Sequence, residues 1–325
     1  MTAPANILLI GGGRMGQRHL RGLFRHAVNL HLVEPSSEAM DACVRIVADY
    51  PDATLAAFPS ISALPPDVTY MAAVMAETAA GRLERFQQIL ALGVQNILVE
   101  KPLEQSRARV AAMVEAARIS ACRVWSNHYR RNLPGFKPLV GKGPYVISVS
   151  SGAMGLGCNG IHWLDFALHL SGCKSGRMLF GEIDSTPIQS GRGSQFQDYG
   201  GRGLFAFPDG SRLFLSCTAA SSAPTAFSIL GPHLHWVVDQ HADTASQHWR
   251  TPDSRKPNYL YGADYETRSA RGLEQADLAE QTSEWLAALL AGRNPSNPLL
   301  SQTAPAYELL FDLLEISGRR DFAFT

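Results

Sequence analysis

The chain has 325 residues, 46% hydrophobic and 18% charged, with Lys plus Arg and Asp plus Glu equal at 29 each. That is enough apolar material to bury the cores of about two domains. The balanced charge leaves no electrostatic footprint for nucleic acid or an anionic membrane surface, so neither partner is expected.

The N-terminal stretch MTAPANILLIGGG lacks a basic n-region and reads as a strand rather than a signal peptide. No apolar run approaches the roughly 18 to 20 residues a membrane span needs. Over residues 1–125, apolar runs at 6–11, 29–34, 68–75, 96–102 and 122–127 read as buried strands. Helical spacing fills 14–27, 36–49, 78–92 and 105–119. Strand alternating with helix predicts a doubly wound parallel sheet of Rossmann type.

From residue 126 to 325 a second domain is expected. One helix at 159–171 is followed by strand-like runs RMLFGEI, GRGLFAFP, SRLFLSCTAA, AFSILG and LHWVVD, which predict a mostly antiparallel sheet. The polar stretch 241–272 reads as a long excursion, and helices at 274–292 and 302–318 close the chain. The fold class is therefore α/β followed by α+β, with the C-terminal helices assigned to a substrate and oligomerisation domain.

Cys43, Cys122, Cys158, Cys173 and Cys217 form no CxxC pair and no zinc-type spacing with histidine. No metal is expected, and scattered thiols suit a reducing cytoplasm.

The first chemical signal is Gly11-x-Gly13-x-x-Gly16, directly after a strand and opening a helix. Gly11 permits the tight turn, Gly13 lets backbone approach a pyrophosphate, and Gly16 lets helix pack on strand. Arg14 and Met15 stand at the helix start, where unpaired N–H groups favour phosphate. Glu34 ends the next strand 18 residues beyond Gly16, where a carboxylate accepts from the adenosine ribose hydroxyls. Its charge repels a 2′-phosphate, which favours NAD(H) over NADP(H), although Arg14 keeps NADP(H) open. A glycine turn capping a helix, with Glu34 as a solvated strand end, is the plainer alternative. Strand, loop, helix and acid in register favour the dinucleotide.

The second signal is Glu100-Lys101-Pro102 at the carboxyl end of a parallel strand, where open α/β sheets bind ligands. A lysine here can stabilise alkoxide-like charge on a reacting oxygen, or it is a surface lysine before a turn. The third is GIHWLD at 160–165, which puts His162 and Asp165 at the start of an apolar helix behind the glycine-rich lead GLGCN.

GGGRMGQRH, VEKP, GIHWLD and the tail NPLLSQTAPAYELLFDLLE, in this order, resemble the glucose-fructose oxidoreductase, inositol dehydrogenase and MocA (Gfo/Idh/MocA) family. The resemblance implies an NAD(P)-dependent oxidoreductase acting on a sugar, sugar derivative or cyclitol in the cleft between its domains, and a homodimer or homotetramer. It implies Lys101 and His162 as catalytic residues, Lys101 on the reacting oxygen and His162 exchanging its proton. A histidine, with a reference pKa of about 6.5, suits that exchange near neutral pH. Asp165, Asn127, Arg130 and Cys158 are the expected substrate contacts, and Glu100 and Lys101 join the cofactor contacts.

Three departures stand out. Cys158 occupies a position where the family commonly has aspartate, and a thiol is mostly neutral and a poor acceptor. MAETAAGR at 75–82 replaces the family's Thr-Pro and following histidine with Glu77, Thr78 and Arg82, which remodels contacts near the nicotinamide ribose. WSNHYRR at 125–131 adds His128 and Tyr129. Asn159 is read as a helix cap, Cys158 as a small packed residue, and Arg130 and Arg131 as either an anion grip or interdomain salt bridges. A second functional class, an NAD(H)-binding regulator or scaffold without turnover, stays open on the strength of Cys158 and the altered loop.

Overall fold

The computed structural model describes residues 4–51, 53–251, 253–260, 262, 264–273 and 277–325. It divides into two units. One comprises the described residues up to Tyr129, those from 277 to Ala304, and Thr325; the other comprises Arg130 to 273 and Pro305–Phe324.

The first unit is built on six parallel strands, β1 (Ala5–Ile10), β2 (Val28–Val33), β3 (Thr54–Phe58), β4 (Ala72–Met75), β5 (Asn96–Val99) and β6 (Arg123–Ser126). Their order is β3-β2-β1-β4-β5-β6, so the sequence order reverses between β1 and β4. The helices between strands are α1 (Arg14–Leu23), α2 (Ser37–Val47), α3 (Arg82–Ala91) and α4 (Arg107–Ile119). Ile7, Leu8 and Leu9 of β1 are fully buried, as a central strand covered on both faces requires. Ser36 caps α2 by accepting from the Ala39 N–H at 3.3 Å.

Helix α6 (Leu278–Leu290), given to the second domain by the sequence reading, lies in the first unit. Its Trp285 and Leu286 join Leu20 and Leu23 of α1 and Trp125 of β6 in one core. Burial of each such side chain contributes about 1.5–3 kcal/mol. Gly22 is the contact point on α1: a Cβ there would meet the Ala279 carbonyl oxygen at 2.3 Å.

The second unit carries an eight-stranded sheet of β7 (Val146–Ser151), β8 (Arg177–Gln189), β9 (Gln197–Ala206), β10 (Arg212–Cys217), β11 (Ala226–Gly231), β12 (Leu234–Asp239), β13 (Thr244–Arg250) and β14 (Tyr265–Arg271). The order is β14-β13-β12-β11-β7-β10-β9-β8, antiparallel throughout except for the β7–β10 pair. The stretch 241–272 is thus corrected: instead of a plain excursion, it contributes two full strands at one edge of the sheet.

Helix α5 (Ile161–Ser171) is buried along nearly its whole length, and Trp163 and Phe166 pack with Phe136 and Phe227 as tilted and T-shaped rings. A helix apolar all round belongs inside. Helix α7 (Leu300–Leu314) follows. Among the described residues no helix is long and apolar enough to cross a membrane.

Candidate active site

The loop between β1 and α1 has the shape its glycines dictate. Gly11 sits at φ +91°, and a Cβ there would come within 2.7 Å of the Glu77 backbone nitrogen. A Cβ on Gly16 would lie 1.9 Å from the Gly11 carbonyl oxygen, so helix and strand can approach only without one. Gly13 is the opposite case, exposed with nothing within 4 Å of a Cβ position, which leaves room for a ligand against bare backbone. Gly13 also starts α1 with no side-chain cap and no acid in the first turn, so the helix N–H groups remain available to a phosphate. Arg14 is exposed beside them and Met15 half-buried.

At the end of β2, Glu34 is buried and oriented. One carboxylate oxygen accepts from Gly12 N–H at 2.6 Å and the other from Ser36 N–H at 2.8 Å. Burial, with the Glu34 charge adding to it, pushes the neighbouring Cys43 thiol up to about 11. An open glycine backbone, a free helix start and an anchored acid together fit an adenosine diphosphate carrying an unphosphorylated ribose.

Three strand ends away, β5 delivers Glu100 and Lys101. Glu100 is buried; its Oε1 lies 3.0 Å from His19 Nε2 and accepts from Asn127 Nδ2 at 2.5 Å, while Oε2 accepts from Lys101 N–H at 3.1 Å. Burial pushes this carboxyl up, but the hydrogen bond and charge of His19, then Asn127 and Lys101, outweigh it and hold the group at about 2. His19 is anchored in turn by Thr282 of α6, with Nδ1 to Oγ1 at 2.8 Å, and the Thr282 hydroxyl donates to Leu278 O at 2.7 Å. Lys101 is half-buried at the strand end, its backbone fixed by this network.

Arg82 makes the largest contribution that sequence reasoning undervalued. It is 1% exposed, and its guanidinium donates to the carbonyls of Glu77, Glu100 and Pro102. It therefore ties the ends of β4 and β5 together. His19, Thr282 and Asp198 were missed, because their partners lie 81, 263 and about 40 residues away in the chain.

In the second unit the lead into α5 is a π-turn over Leu156–Gly160. Asp198, arriving on β9, accepts from the N–H groups of Gly157 and Cys158, both at 2.8 Å, and from Tyr199 at 2.7 Å. A carboxylate accepting three backbone N–H groups fixes the loop that carries Cys158 and His162. Asn159 does not cap α5. Its side chain donates back to Met154 O, because the π-turn places Gly160 at the cap position.

His162 is buried at the first turn of α5. Asp165 faces Arg131, whose Nε and terminal nitrogen lie 2.7 and 2.6 Å from its two oxygens. Arg130 is buried with its guanidinium carbon 3.8 Å from the centre of the Trp163 ring. Cys158 is half-buried, and Arg131 pairs within its own unit. Lys101, Glu100 and Asn127 thus come together in the first unit, and Cys158, His162, Asp165, Arg130 and Arg131 gather around α5 in the second. Among the described residues no group of three or more His, Cys, Asp or Glu is placed to hold a metal ion.

Comparisons with known proteins follow this division. The model of a family described as oxidoreductase family, NAD-binding Rossmann fold (GFO_IDH_MocA), matches residues 5–128. Among curated proteins no sequence matches the chain. Solved structures match over both units. UDP-N-acetylglucosamine 3-dehydrogenase GnnA from Acidithiobacillus ferrooxidans is 15% identical with TM-score 0.71, covering 96% of this chain and 97% of that one. A dehydrogenase (MviM) from Clostridium difficile is 14% identical with TM-score 0.70, over 96% and 99%. An oxidoreductase from Agrobacterium radiobacter, in complex with NAD+, L-tartaric acid and magnesium, is 14% identical with TM-score 0.71, over 98% of each chain. At these identities the likeness is one of fold. Residues 5–128 thus match the Gfo/Idh/MocA oxidoreductase family, described by its NAD-binding Rossmann fold, and NAD is the cofactor.

Proposed function

We propose that this protein moves a hydride between NAD and a hydroxyl-bearing or carbonyl carbon of a sugar, sugar derivative or cyclitol. The observation that carries the reading is Lys101 at the carboxyl end of β5, in the unit that holds the dinucleotide loop, with its backbone fixed by an ionised Glu100. NAD supplies the hydride acceptor, or its reduced form the donor. The ammonium of Lys101 is suited to the negative charge that grows on the reacting oxygen as the C–H bond breaks. His162, at the buried first turn of α5, takes the hydroxyl proton in oxidation and returns it in reduction.

Arg130 and Cys158 are the substrate contacts in this reading. Asp165 acts through Arg131, since the ion pair occupies both of its oxygens. The sugar class is supported by the resemblance of the EKP and GxHxxD motifs, and by likeness in fold to a protein named as a UDP-sugar dehydrogenase. The expected assembly remains a homodimer or homotetramer in the cytoplasm.

Cys158 favours a second reading, an NAD(H)-binding protein without turnover, because no carboxylate stands beside His162 at that position. A screen of aldoses, sugar acids, nucleotide sugars and cyclitols, followed by the near-ultraviolet absorbance of reduced nicotinamide, separates the two. Turnover that collapses in Lys101→Met and in His162→Gln supports the enzyme. Tight NADH binding with silence across the screen supports the second reading.

A further inference from the structure

Three carbonyl oxygens beyond the ends of β4 and β5 are held by one buried side chain, that of Arg82, the first residue of α3. One terminal nitrogen of its guanidinium donates to the carbonyls of Glu100 and Pro102, and the other donates to the carbonyl of Glu77. Glu100 and Pro102 are the two neighbours of Lys101 in the chain. Since the Lys101 N–H also donates to the Glu100 carboxylate at 3.1 Å, the lysine is fixed by its own amide and by the carbonyl on either side. Helix α3 grips the same stretch at a second point. Leu83 N–H donates to Glu104 Oε1 at 2.6 Å, and the other oxygen of this fully buried acid accepts from Gln105 N–H at 3.1 Å. The first two residues of one helix thus fasten Glu100 to Glu104 at both ends.

The Glu77 carbonyl extends this clamp to the dinucleotide loop. The Glu77 backbone packs against that loop, where a Cβ on Gly11 would meet its nitrogen at 2.7 Å. One planar group therefore spans from the backbone lying on the glycine loop to the backbone that carries Lys101. Only arginine suits the position, because its donors stand in a fixed fork, whereas a lysine ammonium is a single point at the end of a shorter stem. The buried charge is met by Glu77, whose Oε1 lies 3.6 Å from Arg82 Nε and 3.2 Å from Arg85 Nε.

We propose that Arg82 is a positioning residue, which sets the separation between the dinucleotide loop and Lys101 and so places the ammonium for hydride transfer. The role rests on the reading of Lys101 as the group that meets the reacting oxygen. Arg82 itself touches neither substrate nor cofactor; it acts through the three carbonyls. The departure of MAETAAGR from its family acquires a purpose, since the arginine standing for the family's histidine is the side chain that reaches all three, and Glu77 balances its charge. Misplacing a reacting group by about 1 Å from a distance costs about 100-fold in rate, so loss of the fork is felt in kcat.

The test compares the full chain with Arg82→Lys, which keeps the charge and drops the fork, and with Arg82→Met, which drops both. Each is followed by hydrogen exchange of the amides in residues 99–105, by NADH affinity, and by kcat and KM on a substrate from the screen. Ile46→Ala, a core truncation on α2, lowers the stability of the same unit from elsewhere and is expected to leave both that exchange and kcat unchanged. Arg82→Lys is expected to speed exchange in 99–105 by about tenfold or more, as follows from losing one hydrogen bond to a charged group. Its kcat is expected to fall by about 100-fold, with KM and NADH affinity within a few-fold. Unchanged exchange in the Arg82 variants, or kcat within a few-fold of the unmodified chain, overturns the proposal. So does a loss of kcat in Ile46→Ala as large as in Arg82→Lys, because stability alone then accounts for it. If Arg82→Met does not fold, Arg82→Lys decides, and if the screen yields no substrate, exchange decides. Turnover indifferent to Lys101→Met refutes the proposed function, whereas exchange still reads the clamp by itself.

Discussion

Arg131 and Asp165 form a two-point ion pair, with nitrogen to oxygen distances of 2.7 and 2.6 Å, and Asp165 is completely buried while Arg131 is 13% exposed. Removing one partner strands a buried charge, which costs about 3–5 kcal/mol. Asp165→Ala is therefore expected to lower urea-unfolding stability by about that much, and Arg131→Met combined with Asp165→Leu to restore most of it. A loss below about 1 kcal/mol in the single variant would show that the pair is not holding α5 to the 130–131 segment.

Glu100 links stability to pH. Its folded value, about 2, is depressed below the ordinary 4.5, so its contribution is fully present above about 4.5 and is lost as pH falls toward 2. The size is about 3 kcal/mol, from the shift alone. Acid unfolding of the unmodified chain should steepen across that window. Glu100→Gln should be less stable at neutral pH and flatter between pH 4.5 and 2. Identical acid limbs would contradict the buried ionised state.

Cofactor choice is read from Glu34, whose carboxylate accepts from the Gly12 and Ser36 N–H groups at the end of β2. The unmodified chain should bind NADH more tightly than NADPH. Glu34→Ala should weaken NADH by about tenfold and strengthen NADPH, because the charge that opposes the 2′-phosphate is gone. Fluorescence titration with the two reduced nucleotides measures both.

Gly16→Ala needs a Cβ 1.9 Å from the Gly11 carbonyl oxygen, a contact only backbone movement can relieve. The variant should lose NADH binding while keeping most of its circular-dichroism signal. Normal binding would mean the glycine loop is not the nucleotide site.

Much of the first unit could be read from the sequence because central strands are buried on both faces and their glycine and proline boundaries are local. Strand β3 escaped notice since, at the sheet edge, TLAAF is only partly buried and lacks a strong apolar run. Strands β13 and β14 escaped for the same reason, β13 being only partly buried and β14 largely exposed, and both being rich in polar residues. Within the site, Gly11, Gly13, Gly16, Glu34 and Lys101 announce themselves by spacing along one stretch of chain. Asp198 and Thr282 cannot, since each acts on a loop or ring supplied from far away in sequence. Asn159 misled because a polar residue before a helix ordinarily caps it, and the π-turn shifted the cap by one residue.

In the proposed function Lys101 serves the chemistry rather than the fold. The most direct measurement is turnover of Lys101→Met on a substrate found by the screen, with NADH affinity and thermal stability followed in parallel. A fall in kcat of about 100-fold or more is expected, with NADH affinity within a few-fold and unfolding temperature unchanged. Turnover within a few-fold of the unmodified chain would contradict it.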